Sequence, residues 1–115
     1  MLIAEPFVLP SRQKDGGMEQ ALERVSKSVE NYSAGTLTKG VAMIELVSAF
    51  KVACKNTQYE AADLQATVQR YIDSVLRSID DGRLQSDQAV LEIRRVYEAA
   101  HSNDPAVVAY MARFT

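Results

Sequence analysis

Cys54 and His101 are the residues of this chain with the chemistry for a nucleophile and its base, and the sequence holds one cysteine and one histidine. Cys–His catalysis needs a thiolate beside an imidazole that a third polar group orients. The surroundings of both residues favour other roles. Cys54 follows Val52-Ala53 on an apolar run, where a free cysteine behaves as a small buried hydrophobe. His101 falls at an expected helix end, where the helix dipole favours an imidazolium. No glycine-rich oxyanion loop accompanies either residue. The sequence therefore predicts no catalytic residue, and a protein that is not an enzyme.

Metal and cofactor chemistry meet the same scarcity. A structural zinc takes four cysteine or histidine ligands, twice what the chain contains. Asp80, Asp81 and Asp87 have the composition of a calcium loop, but Gly82 is misplaced and no bidentate glutamate stands at the twelfth position. With five glycines in all, no phosphate-binding loop forms. No metal and no cofactor is expected. Arg70, Arg77, Arg83, Arg94 and Arg95 raise the question of nucleic acid. However, residues 58–115 carry six arginines against nine acidic residues, interleaved along the chain. A face that tracks phosphates is basic on balance, whereas this mixture suits solvated helices with i,i+4 ion pairs. Direct nucleic-acid binding is not expected.

The 115 residues predict one domain. Apolar residues make up 47% and charged residues 24%, with a net charge of −2, a balance that supports a packed core and gives no general attraction to anionic membranes. A lone cysteine excludes an internal disulfide and points to a reducing, cytoplasmic location. The apolar opening Met1–Pro10 lacks a basic n-region and is interrupted by Glu5, Pro6 and Pro10. Val41–Cys54 is too short and too polar at Glu45, Ser48 and Lys51 to span a membrane.

From Met18 the apolar residues recur at helical steps: Met18, Ala21, Leu22, Val25, Val29 and Tyr32 form one stripe that ends at Ala34-Gly35. A second helix is predicted from about Thr38 to Lys55. A third carries Ala61, Leu64, Val68, Ile72, Val75, Leu76 and Ile79 and stops at Asp80-Asp81-Gly82. A fourth follows Ser86 as N-cap and runs to about Ala100. Asp104-Pro105 then opens a short fifth helix with Val107, Val108, Met111 and Phe114. Sliding the chain by 47 positions places Gly35 on Gly82, Leu37 on Leu84, Ala42 on Ala89, Glu45 on Glu92 and Ala53 on Ala100. Duplication accounts for this register, and so does convergence of two hairpins on similar turn chemistry. The fold class expected is all-α: two αα-hairpins in a small bundle, a short C-terminal helix and an extended N-terminal arm. The domain limits are 1–17 for arm and linker and 18–115 for the helical domain.

Two features hold more apolar surface than a small bundle needs. In Val41–Cys54, eleven of fourteen residues are apolar, although a surface helix has a broad polar face. The arm adds Leu2, Ile3, Phe7, Val8 and Leu9 between prolines that favour extended backbone. An exposed apolar stretch of this kind marks an interaction site. The arm folds back, crosses to a second subunit or docks on another protein. Candidate interface residues for a partner or a homodimer are Leu2, Ile3, Phe7, Val8, Leu9, Phe50, Tyr110 and Phe114.

At the scale of the whole chain, the opening MLIAEPFVLPSRQ and the closing DGRLQSDQAVLEIRRVYEAAHSNDPAVVAYMARF resemble the small all-helical quorum-sensing anti-activators of pseudomonads. Neither segment contains a motif on which functional residues could be carried over. The resemblance implies a helical homodimer that binds the ligand-binding domain of a LuxR-type transcription activator, occludes its dimerisation surface and so prevents DNA binding. The alternative is a helical adaptor or chaperone-like protein of a phage or secretion system.

Overall fold

The computed structural model describes residues 4–114, with side chains from residue 17 onward. Five helices follow one another: α1 (Ala4–Ser33), α2 (Lys39–Ala53), α3 (Gln65–Asp80), α4 (Ser86–His101) and α5 (Val107–Arg113). The fold is all-α, two αα-hairpins followed by a short helix. No helix among the described residues is long and apolar enough to cross a membrane.

Local chemistry explains where the helices start and stop. Gly35 and Gly82 end α1 and α3 in the left-handed region, at φ of +83° and +78°. A side chain there meets its own backbone, which is why glycine is favoured. Thr38 caps α2 by accepting the Val41 amide at 3.3 Å. For α4 the N-cap is Gln85 rather than the expected Ser86. Gln85 and Gln88 form a reciprocal capping box, with the Gln85 amide donating to Gln88 Oε1 at 2.9 Å. Asp104 opens the turn before α5 through its Oδ1, which accepts the Ala106 amide at 2.9 Å, and the α-helix proper begins at Val107. The third helix starts at Gln65, later than expected, because Cys54–Asp63 is spent on successive turns stabilised by Thr57 and by the Asn56 amide donating to Glu60.

The N-terminal segment differs from expectation. Instead of an extended arm joined by a linker, residues 4–17 are helical and continuous with α1, so the boundary expected between residues 17 and 18 falls inside one helix. Pro6 stands in the first turn, where a backbone N–H has no helical acceptor, so its missing donor removes no bond. Pro10 forfeits one bond, and Gly16-Gly17 lower helix propensity by about 1 kcal/mol each without reversing the chain. Leu2 and Ile3 lie outside the described residues, and so do the side chains of Phe7, Val8 and Leu9.

α1 packs most closely on α2 and α4, and α2 also packs on α3, so α1 and α3 sit on one diagonal of the bundle and α2 and α4 on the other. Val25, Val29, Leu46, Ile72, Val75, Leu76 and Ile93 are fully buried along the axis. Each such side chain contributes about 1.5–3 kcal/mol relative to exposure. α5 lies over α3 and α4, burying Val107 and Met111.

The 47-residue register seen in the sequence is also a structural register. α2 and α4 begin, and α1 and α3 end, at equivalent positions. The fully buried pairs Ala42/Ala89, Leu46/Ile93, Ala53/Ala100, Val25/Ile72 and Val29/Leu76 coincide. Asn56 and Asn103, which the sequence alone did not single out, both adopt φ of +65° after their hairpins. Packing between the hairpins is reciprocal, since α4 lies on α1 as α2 lies on α3, whereas within them α1 and α2 pack far more extensively than α3 and α4.

Candidate protein-docking surface

The residues with chemical potential are held in structural roles. Cys54 is buried at the end of α2, and burial pushes its thiol up to about 11, against a smaller opposing effect of Thr57. A thiol kept protonated at neutral pH is a poor nucleophile. His101 Nδ1 lies 3.2 Å from the Ala53 carbonyl oxygen, a contact that takes the Nδ1–H tautomer and ties the end of α4 to the end of α2. Asp80 accepts the Tyr32 hydroxyl at 2.9 Å on both carboxylate oxygens, joining the ends of α1 and α3. This contact and burial push the Tyr32 phenol up to about 12, with burial the larger cause. Among the described residues no group of three metal-ligating side chains comes together. Arg77 pairs with Asp73 at 2.6 Å, Arg83 with Asp81 at 3.1 Å and Arg95 with Glu92 at 2.9 Å, so these arginines are engaged within the surface.

A cleft of about 360 Å³ opens where the end of α2 meets the start of α3. Val47, Phe50, Leu64 and Val68 line it, with Lys51 and Lys55 on one side and Glu60 and Asp63 on the other. The opposed charges select no single ligand charge.

Apolar exposure is concentrated elsewhere. Ile44 is 68% exposed, Val41 42% and Val52 41%, all on the outward face of α2; Leu91 on α4 is 66% exposed. The apolar composition of α2 therefore divides in two. Ala42, Leu46, Ala49, Phe50 and Ala53 face the core, while Val41, Ile44 and Val52 face outward around Ser48 at helical steps of three and four. Glu45, at the edge of the outward face, accepts a hydrogen bond from the buried Ser28 hydroxyl of α1.

Of the interface residues named from sequence, Leu2 and Ile3 and the side chains of Phe7, Val8 and Leu9 fall outside what the structure describes. Phe50 is buried, its ring edge-to-face with Tyr97 at 5.2 Å, so it serves the core of the bundle rather than its surface. Tyr110 and Phe114 are half-buried. The Tyr110 hydroxyl donates to Glu92 at 2.7 Å, and Phe114 packs edge-to-face on Tyr71 at 5.3 Å. The exposed residues that the sequence reading missed are Val41, Ile44, Val52 and Leu91. A signal for those on α2 existed: Ile44 and Val52 each lie four positions from Ser48, and Val41 lies seven, in phase with the polar strip and out of phase with Ala42, Leu46 and Ala53.

No protein-family model, curated protein or solved structure matches this chain.

Proposed function

We propose that the protein is a non-catalytic regulatory module, a QslA-like anti-activator that works as a homodimer and binds a LuxR-type transcription activator. By covering the activator's dimerisation surface it prevents DNA binding. The observation that supports this most is the outward apolar ridge of α2, with Ile44 at its centre and two-thirds exposed. Occlusion of a surface requires an apolar anchor that can be desolvated, and it requires no catalytic group, cofactor or basic face. Burying a side chain such as Ile44 on association gains about 1.5–3 kcal/mol before the costs of binding. The whole-chain resemblance supplies the class of partner.

The test has two arms. Purified protein is mixed with a LuxR-type activator and its promoter DNA, and the mobility shift is followed. The expected result is loss of the activator–DNA complex, with no shift by this protein alone. Size-exclusion chromatography with light scattering should report a mass of two chains for the free protein. An activator that keeps its DNA at a large molar excess of this protein overturns the anti-activator reading. A monomeric mass at high micromolar concentration overturns the dimer.

A further inference from the structure

The 47-residue register separates the bundle from the element that lies on it. In the first hairpin, Glu45 of α2 accepts from Ser28 of α1, and Arg24 of α1 is exposed. The second hairpin differs at the equivalent positions. Its Glu92 accepts from Tyr71 and from Tyr110 of α5, and Tyr71, standing where Arg24 stands, is fully buried. The first hairpin thus does without a covering helix, and the second carries one. Among the described residues α5 packs on α3 and α4 and on no other helix. Val107, Tyr110, Met111 and Phe114 stand at i, i+3, i+4 and i+7, the spacing with which an amphipathic helix enters a groove. Val107 and Met111 are buried there, and Phe114 meets the Tyr71 ring at 5.3 Å. The seat is a helix-binding groove, and its occupant is tethered.

The tether, residues 102–106, is short and bent. Asn103 holds φ of +65° without being glycine. Asp104 precedes Pro105, a position where the proline ring favours extended backbone. The bend is held from outside α5, by the connection between α2 and α3. The Gln58 amide donates to Asn103 Oδ1 at 2.7 Å and Gln58 Nε2 to the Asn103 carbonyl at 3.1 Å, while the Tyr59 hydroxyl donates to the Asp104 carbonyl. A helix of seven residues does not keep its shape without packing. When the hinge extends, α5 therefore needs a groove, and α5 is the segment whose fit to this groove is on view.

We propose that two copies of the chain exchange α5, each seating its C-terminal helix on the α3–α4 face of the other. Every contact between α5 and its seat re-forms in trans, because the second groove is identical. The exchange relieves the bend at Asn103 and forfeits the clamp of Gln58 and Tyr59. Swapping a terminal element is a low-cost route to a dimer, and a short strained hinge favours it. This deepens the proposed function, and rests on it, by naming the segment that joins the chains of the homodimer.

For the test, equal parts of ¹³C-labelled and unlabelled full chain are unfolded in urea and refolded together. The two-chain fraction is isolated by size-exclusion chromatography. Isotope-filtered NOE spectra are expected to show contacts between the Tyr71 ring of one chain and the Phe114 ring of the other. Two variants move the equilibrium in opposite directions. Gly-Ser-Gly-Ser inserted between Ser102 and Asn103 lets α5 reach its own groove without a bend, and should give a single-chain mass with unchanged helical circular dichroism. Tyr59→Phe keeps the buried ring but removes a hydrogen bond from each closed hinge. It should tighten the two-chain particle by about tenfold in dissociation constant. A two-chain particle whose Tyr71–Phe114 contacts all lie within one chain overturns the exchange and leaves the homodimer standing. So does a lengthened hinge that keeps the mass at two chains, or a Tyr59→Phe particle that dissociates more readily. A single-chain mass of the wild type at high micromolar concentration overturns homodimer and exchange together. No transcription activator enters these measurements, so they leave the anti-activator reading to its own test.

Discussion

The Tyr97 hydroxyl donates to the backbone carbonyl of Leu46 at 2.7 Å, across the diagonal of the bundle and shielded from solvent. This one bond joins the second helices of the two hairpins at their centre. The Leu46 carbonyl remains within the hydrogen-bonding ladder of α2, so removing the hydroxyl costs the bond without fully orphaning its acceptor. Tyr97→Phe is expected to lower stability by about 0.5–1.5 kcal/mol. Tyr97→Ala, which also empties the space against Phe50, is expected to cost about 3–5 kcal/mol. Urea unfolding of both variants beside the wild type measures the two values.

Burial of Cys54 makes the fold sensitive to alkaline pH. The thiol moves from 9.0 in its ordinary state to about 11 in the folded chain. A folded value above the unfolded one means that the neutral thiol is favoured by folding. That contribution is intact below pH 9 and disappears as the pH rises towards 11. Stability should therefore fall between those limits more steeply in the wild type than in Cys54→Ala. The same burial predicts slow reaction of the native thiol with a disulfide reagent at pH 8, and rapid reaction in denaturant.

Asn56 and Asn103 share a backbone conformation but not a side-chain role, so the same substitution should act differently at the two positions. Both hold φ of +65°. Glycine would relieve the strain that a side chain meets there, about 1 kcal/mol. Asn103 Oδ1, however, accepts the Gln58 amide at 2.7 Å, while the Asn56 backbone amide is itself the donor, to Glu60. Asn56→Gly should be neutral or stabilising. Asn103→Gly should be the less favourable change by about 1 kcal/mol, the usual value of a hydrogen bond. Thermal unfolding of the two variants makes the comparison.

The helices after Met18 and their glycine stops were legible in the sequence, because stripes such as Val25, Val29 and Tyr32 and left-handed positions such as Gly35 and Gly82 are set by local periodicity and backbone sterics. The continuation of α1 through Pro10 and Gly16-Gly17 was not. The penalties of those residues are real but small, and the sum over a long helix can absorb them. The orientation of α2 was also hidden. Apart from the narrow strip of Glu45, Ser48 and Lys51, a helix that is apolar nearly all round marks no inward side, and its neighbours α1, α3 and α4 decide that Leu46 is buried while Ile44 faces water. Phe50 was misread as a surface anchor for the same reason.

Continuity of α1 makes its own prediction. Among the described residues no atom lies within 4 Å of where a Cβ at Gly17 would stand, so no close approach there demands glycine. Gly17→Ala should stabilise the protein by about 0.5–1 kcal/mol through helix propensity. The helical circular dichroism signal should not fall. Destabilisation by this substitution would mean that the chain turns at Gly17 in solution.

Glu92 is the hub that holds α5 in place. Its Oε2 accepts hydrogen bonds from Tyr71 of α3 at 2.8 Å and from Tyr110 of α5 at 2.7 Å, while Oε1 pairs with Arg95. Burial pushes both phenols above their ordinary value, with the Glu92 carboxylate adding to the effect, which favours their neutral, donating form. Because the two hydroxyls share one acceptor oxygen, losing one alters the charge available to the other. Tyr71→Phe and Tyr110→Phe should each cost about 1.5–3 kcal/mol, the range for a bond to a charged group, and should be non-additive in a double-mutant cycle. The two changes should also separate in hydrogen exchange. Tyr110→Phe loosens a seven-residue helix anchored otherwise by Val107, Met111 and Phe114, so the Met111 amide should exchange faster while those of Leu46 and Ile93 keep their wild-type protection. Equal acceleration at Met111 and Leu46 would show that α5 opens only with the whole bundle.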